Sequence, residues 1–301
     1  MLGAGLSLGA CAPSASGTGD VLAAGQPAAL LVWAVAPERL IGWPRAPRGQ
    51  ALAALPAAAA ALPELGALTG GGSPPNLETL AARRPRLVVD YGDVDPDHHA
   101  VADRLRTRLG GDWRLIDGAL RRMPEAFQAA GAMLDRQARG RALADRATDV
   151  LGRWRRGAGP SFYYARGADG LETAFAGALA TEVLEGAGWT NVAKGAADIG
   201  RVSREQVAAW DAEVVVTLDA GFAAQAATAP FWRRRLSGGG RRILLMPDRP
   251  FGWIDRPPSV NRLLGCAWLA GGDGARLSEL SQALFGRPSK PAPLLLPLWL
   301  P

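Results

Sequence analysis

The stretch from Met123 to Arg156, MPEAFQAAGAMLDRQARGRALADRATDVLGRWRR, most constrains what this chain can fold into, because it reads as one long helix between unlike flanks. Pro124 suits a first helical turn, and Glu125 places negative charge at the helix's positive end. Phe127, Ala130, Leu134 and Ala138, then Leu143, Ala147, Val150, Leu151 and Trp154, recur at helical spacing with a phase slip near Gly140. Asp135/Arg139, Arg141/Asp145 and Asp149/Arg153 stand at i,i+4 as exposed pairs. Arg153, Arg155 and Arg156 suit the negative end, and Gly157, Gly159 and Pro160 stop the helix. At about 1.5 Å per residue it would run roughly 50 Å, longer than a small domain needs. The other reading is an ordinary helix broken at Gly140, since Gly inside a helix costs about 1 kcal/mol. The rigid reading divides the chain into a lobe at 20–122, the connecting helix at 123–156 and a second lobe at 157–301.

With 301 residues there is room for two cores, and no apolar run reaches the roughly 18 residues of a membrane span. The net charge of +6 is nearly all arginine, Lys194 and Lys290 being the only lysines. The arginines are scattered, and their densest runs lack the interleaved aromatics of a stacking platform, which argues against a nucleic-acid partner. Cys266, in LLGCAWLA, reads as a small buried hydrophobe. Cys11 follows Leu8-Gly9-Ala10 and precedes APSASGTGD, so it matches a bacterial lipobox with a polar tether, and residues 1–19 read as signal and tether. MLGAGLSLGA lacks the basic charge and length of a signal peptide, so the start is expected upstream; a chance small-residue cysteine is the alternative.

Val21 to Ala24, Leu87 to Val89, Trp113 to Ile116, Phe162 to Ala165, Val214 to Thr217 and Ile243 to Met246 read as short buried strands separated by helical segments. Alternation of this kind predicts an α/β protein of two Rossmann-like lobes with mainly parallel sheets. NLETLAARRPRLVVD and SREQVAAWDAEVVVT align without a gap, Glu78 on Glu205, Leu80 on Val207 and Leu87 on Val214. One unit used twice implies similar lobes facing a cleft; chance matching of a common pattern is the alternative. The tail from Pro288 has no structural reading.

Open α/β sheets bind ligands beyond the carboxyl ends of their strands. The candidate ligand contacts there are Gln26, Trp43, Tyr91, Tyr164, Arg166 and Trp253, a set of aromatic faces, an amide and a guanidinium suited to a flat or anionic ligand. Ordinary packing competes for each, and for Arg166 a salt bridge within its own loop. No nucleophile with a base is evident, so no catalytic residue is assigned. The best case for an enzyme is DYGDVDPDHH, with Asp90, Asp93, Asp95, Asp97, His98 and His99. Adjacent histidines on a helix point roughly 100° apart and share one ion poorly, which favours a solvated loop and helix cap.

GSPPNLETLAARRPRLVVDYG, the long helix, YYARGADGLET, VSREQVAAWDAEVVVTLD and PFGWIDRPPSVNRLLG resemble the ABC-transporter substrate-binding proteins of the helical-backbone metal-receptor type, over about residues 20 to 285. The resemblance implies two lobes on one rigid helix, no enzymatic activity and no resident cofactor. It also implies a monomer, lipid-anchored outside the cytoplasmic membrane at Cys11, that delivers ligand to an ABC permease dimer. The ligand it implies is a ferric chelate of siderophore type or a similar metal species, haem and cobalamin included; molybdate, tungstate and nickel chelates stay open, as does a metal-dependent hydrolase on Asp90 to His99. It assigns Glu78 and Glu205 to permease docking, one per lobe. The uncharged signal region and the tail PAPLLLPLWLP depart from that pattern.

Overall fold

The computed structural model describes residues 19–94, 96–154, 157–236 and 241–289, with only the backbone of residue 97. The lipobox cysteine Cys11, Asp95 and the Pro/Leu tail lie outside them. β1 (Val21–Ala23) leads into α1 (Gln26–Val35), apolar from Pro27 onward and buried from Ala28. Short helices α2 (Gly49–Ala53), α3 (Ala58–Ala61) and α4 (Leu77–Ala82) precede β2 (Leu87–Gly92), and α5 (Pro96–Leu109) returns the chain to β3 (Asp112–Asp117). Then come α6 (Met123–Met133) and α7 (Gln137–Trp154). Beyond them follow β4 (Ser161–Tyr164), β5 (Glu172–Ala174), α8 (Glu182–Gly186), β6 (Thr190–Asn191), β7 (Ile199–Arg201), α9 (Arg204–Trp210) and β8 (Val214–Thr217). α10 (Ala220–Ala226), α11 (Pro230–Leu236), β9 (Arg242–Leu245), α12 (Arg262–Leu269) and α13 (Gly274–Phe285) complete the order.

The strands form a parallel sheet β1-β2-β3, a parallel sheet β6-β4-β8-β9 and a small antiparallel pair β5-β7. This is the expected α/β architecture with mainly parallel sheets. Strands such as LVV and VVV are continuously apolar because both faces are covered by helices.

The internal repeat is physical. Asn76 caps α4 by accepting from the Thr79 N–H at 3.1 Å, and Ser203 caps α9 by accepting from the Gln206 N–H at 3.2 Å. Leu80 and Val207 are both buried beneath their helices. Arg84 and Asp211, at the same place in the two units, both turn into the left-handed region, with φ of 47° and 49°. β2 and β8 take central positions, and Val21 pairs with Leu87 as Phe162 pairs with Val214.

The single helix expected over 123–156 is corrected: α6 ends at Met133 and α7 begins at Gln137. Asp135 takes φ 56°, the Arg136 N–H donates to the Gly131 carbonyl at 2.8 Å, and the chain reverses direction. The two helices then cross where neither carries a side chain, since a Cβ on Gly140 would lie 2.6 Å from the Phe127 carbonyl oxygen and 2.8 Å from the Gly131 Cα. Arg39 reinforces the turn by donating to the Leu134 carbonyl at 3.1 Å, and Arg136 pairs with Glu38 at 2.6 Å. The break falls before Gly140 because the phase slip marks a corner between packed helices. Of the three expected i,i+4 pairs, Arg153 with Asp149 forms, at 2.7 Å. Arg139 instead donates to the carbonyls of Ala34, at 3.1 Å, and Ala283.

A second tie between the halves is polar. Arg262 is fully buried and donates to the Ser259 carbonyl at 3.1 Å, the Leu179 carbonyl at 3.0 Å, the Glu182 carboxylate at 2.6 Å and the Gly118 carbonyl. Glu182 also accepts from the Leu120 N–H at 2.9 Å, so one ion pair gathers the exit of β3, the start of α8 and the start of α12. No helix among the described residues is long and apolar enough to cross a membrane.

Candidate functional site

The carboxyl ends of β1, β2 and β4 open on a cleft of about 1110 Å³, with segments 45–48, 64–73 and 90–93 on one side and 178–180, 198–199 and 251–258 on the other. Its volume lies just above the usual range of small-molecule sites, about 300–1000 Å³.

On the first side the polar groups are arranged by one another. The Gln26 side chain accepts from the Arg45 N–H at 2.9 Å, and Arg45 donates to the Gly71 carbonyl at 3.0 Å. Glu64 accepts from the Ala46 N–H and the Arg48 guanidinium, both at 3.1 Å. Asp90 is nearly buried and accepts from the Thr69 hydroxyl at 2.9 Å and the Tyr91 N–H at 3.0 Å. Burial pushes its carboxyl above the usual carboxylate range, against the pull of those two donors.

On the second side Arg166 donates from Nε to Glu172 at 2.8 Å and from a terminal nitrogen to Asp255. Asp255 also accepts from the Tyr164 hydroxyl at 3.1 Å and the Arg256 N–H at 2.7 Å. Burial, then the neighbouring Asp255 charge, holds the Tyr164 phenol well above its usual range, so it stays a neutral donor.

Of the six expected contacts, Gln26, Tyr91 and Arg166 line the cleft. Trp43, Tyr164 and Trp253 do not, and each is essentially fully buried. The Trp43 ring lies tilted against Trp33, centroids 5.1 Å apart, and donates to the Ala59 carbonyl at 3.0 Å; Trp253 donates to the Arg249 carbonyl at 2.7 Å. They are the core beneath the cleft, because large rings at strand ends are worth more when covered than when wet. Tyr91 offers only its buried ring, its hydroxyl lying beside Arg262. Arg166 lines the cleft and also makes the salt bridge within its own loop that was the alternative reading, to Glu172, with a second to Asp255.

Asp93 and His98 line the cleft, while His99 is exposed outside the lining. No group of three or more His, Cys, Asp or Glu that could hold a metal occurs among the described residues. Glu78 and Glu205 are exposed in the first turns of α4 and α9, and Glu205 is held below the usual carboxylate range by its own backbone N–H and then the Ser203 hydroxyl. Cys266 is a free, buried thiol raised by burial. Sequence reading missed Glu64, Thr69, Asp198, Asp255 and the lining arginines Arg45, Arg48 and Arg256. A usable signal was the charged Asp255-Arg256 pair between the apolar PFGWI and two prolines.

Two parallel α/β halves around such a cleft define the fold of the ABC-transporter solute-binding proteins of cluster III. No protein-family model matches the chain, and no curated protein does. Among solved structures, an ABC transporter solute-binding protein from Sulfurospirillum deleyianum is similar at TM-score 0.77 and 23% identity, with 89% of this chain and 90% of that one covered. The molybdate-binding protein MolA of Haemophilus influenzae gives 0.70 at 16% identity, covering 93% and 96%. The vitamin B12 binding protein BtuF of Vibrio cholerae gives 0.62 at 17%, covering 87% and 97%. At these identities the likeness is one of fold.

Proposed function

We propose that this protein is the extracytoplasmic solute-binding component of an ABC importer, capturing a ferric chelate or similar metal complex between its halves and passing it to a permease dimer. The observation that carries the reading is the large cleft at the strand ends of two parallel sheets, in a fold shared with proteins that bind B12 and molybdate. The lobes run over 20–122 and 157–301, with α7 as the connecting helix in place of the whole of 123–156. It works as a monomer, anchored through Cys11, and performs no catalysis. Glu78 and Glu205, exposed at equivalent helix starts, meet arginines of the two permease subunits. A bare oxyanion is the weaker fit, because Arg166 and Arg48 are already paired with carboxylates.

Native mass spectrometry of the full chain purified from its host envelope tests the ligand: a metal-bearing organic adduct is expected, and molybdate or tungstate as the sole adduct refutes the chelate. For docking, Glu78→Gln/Glu205→Gln is expected to keep ligand affinity and lose binding to the reconstituted permease, most visibly at low salt. Unchanged permease binding leaves both carboxylates as helix-start charges only.

A further inference from the structure

Asp90, near the end of β2, lines the cleft and is only 5% exposed. It accepts from the Thr69 hydroxyl at 2.9 Å and from the Tyr91 N–H at 3.0 Å, and both bonds fall on Oδ1. Oδ2 meets no protein donor among the described residues. A carboxylate taken out of water with one oxygen unmet is costly unless something else pairs with it.

The fold itself does not require that charge. In the gapless repeat Asp90 falls on Thr217, at the end of β8. Thr217 is fully buried and neutral, its hydroxyl oxygen accepts from the Asp219 N–H at 3.0 Å, and it lies outside the cleft lining. Strand alternation turns Asp90 to the same side of its sheet as Val88, whose apolar layer also holds Leu22, Ala24, Leu80 and Ala102. A neutral side chain would close that layer as Thr217 closes its own. Of the two copies, the one that opens on the cleft carries the carboxylate.

The half-met state is held in place. The Leu68 and Thr69 N–H groups donate to the Ala24 carbonyl at 2.7 and 3.1 Å, which seats their loop over the strand ends. A Cβ on Gly25 would come within 2.8 Å of the Thr69 carbonyl oxygen, so this close approach needs a glycine. Oδ1 is thereby pinned and Oδ2 keeps a fixed direction. The nearby arginines are engaged elsewhere: Arg48 pairs with Glu64, Arg166 with Glu172 and Asp255, and Arg45 donates to the Gly71 carbonyl at 3.0 Å. Burial raises the Asp90 carboxyl above its usual range, and the Thr69 and Tyr91 bonds and then the His98 charge, on α5, offset this only in part. Such a group gains most from a partner that brings both positive charge and an N–H to donate.

We propose that Asp90 is a specificity-determining contact for a cationic N–H group, of ammonium type, carried by the metal complex in the cleft, with Oδ2 as the acceptor. This rests on the solute-capture reading and adds a charge that the solute carries.

The test titrates two chelates into the full chain and into Asp90→Asn: ferrioxamine B, a ferric trihydroxamate with a free ammonium arm, and its N-acetyl derivative, in which that arm is neutral. Wild type is expected to bind ferrioxamine B about ten-fold or more tightly than the acetylated chelate, and Asp90→Asn to bind the two alike. Asn keeps an acceptor for Thr69 and Tyr91, so the variant is expected to fold. A raised carboxyl costs stability as pH rises from its unfolded value of about 3.9 through its folded one. At pH 7 the Asn variant, with no charge to bury, should therefore melt at or above wild type. A lower melting temperature makes Asp90 a brace for the loop at Thr69 and overturns the contact. Equal affinity of wild type for the two chelates, or a preference that survives in Asp90→Asn, overturns it while leaving solute capture standing, since a chelate is then bound. Binding of neither chelate by wild type overturns it as well. Solute capture fails separately, when the envelope-purified protein carries no ligand and engages no permease.

Discussion

The unit containing α4 and β2 and the unit containing α9 and β8 are two copies of one design, yet only the first brings its strand end to the cleft. β2 ends in Asp90, Tyr91 and Gly92, all lining it; the equivalent positions after β8 lie outside the lining, and Asp219 there caps α10 by accepting from the Phe222 N–H at 2.9 Å. The second half meets the cleft through the loop at Arg166, which follows β4 as Gln26 follows β1, and otherwise through the β5-β7 pair and 251–258, which lie outside the repeated unit. The repeated unit supplies the sheet, and the unrepeated segments supply most of the recognition. A scaffold kept constant while its loops vary is how one fold serves different ligands.

The largest test of that division is Arg262→Ala. Arg262 lies in an unrepeated segment, and its loss strands Glu182 and the carbonyls of Gly118 and Leu179. Unfolding in urea is expected to show a loss of about 3–5 kcal/mol; a loss under about 1 kcal/mol would make the tie between halves dispensable. Next, Asn76→Ala and Ser203→Ala remove equivalent caps and are each expected to cost about 1 kcal/mol. One cap proving neutral would break the equivalence of the two units.

A finer comparison uses the two left-handed positions. Arg84→Gly removes a strain of about 1–2 kcal/mol in part offset by glycine's entropy, so a small gain in melting temperature is expected. Asp211→Gly should show no gain, because Asp211 also holds Arg241 at 2.6 Å and Arg235. Equal gains would mean those surface pairs contribute nothing.

The smallest effect concerns acid. Asp20, before β1, binds Arg39 and Arg86; at the corresponding corner Glu213 accepts from the Ser161 N–H at 2.7 Å. Hydrogen bonding from Arg39, then Arg86, holds the Asp20 carboxyl down at about 2. A depressed carboxyl contributes stability that is complete above its unfolded value of about 3.9 and is lost as pH falls through its folded value. Asp20→Asn should therefore flatten the decline in stability between about pH 4 and 2. An acid limb identical to wild type would show that the arginines do not depend on that charge.

How much was legible follows from which forces act locally. Apolar runs such as LVV and VVV, the caps at Asn76 and Ser203 and the gapless repeat carry their meaning within a few residues, so the α/β halves could be read directly. The corner at Asp135 left only a phase slip near Gly140 in the spacing, and it is the tertiary approach of Gly131 to Gly140 that explains the reversal. Which rings line the cleft was hidden for a related reason. Trp43, Tyr164 and Trp253 sit beside the cleft in sequence, but whether a ring faces ligand or core is decided by helices far along the chain. Asp255, two residues after Trp253, lines the cleft where the ring does not.

The glycine crossing makes α7 a lever with a fixed fulcrum. In this alanine-rich chain a Gly-to-Ala change inside a helix would ordinarily be welcome, yet at Gly131 or Gly140 one methyl group would meet backbone at 2.8 Å or less. Prying the helices apart there tilts α7, and the tilt is carried from Gly140 to Trp154, about 21 Å further along. Trp154 is locked to the second half through its bond to the Val183 carbonyl, at 2.9 Å. The place where Trp154 meets the second half is thus set, at that distance, by the absence of two β-carbons.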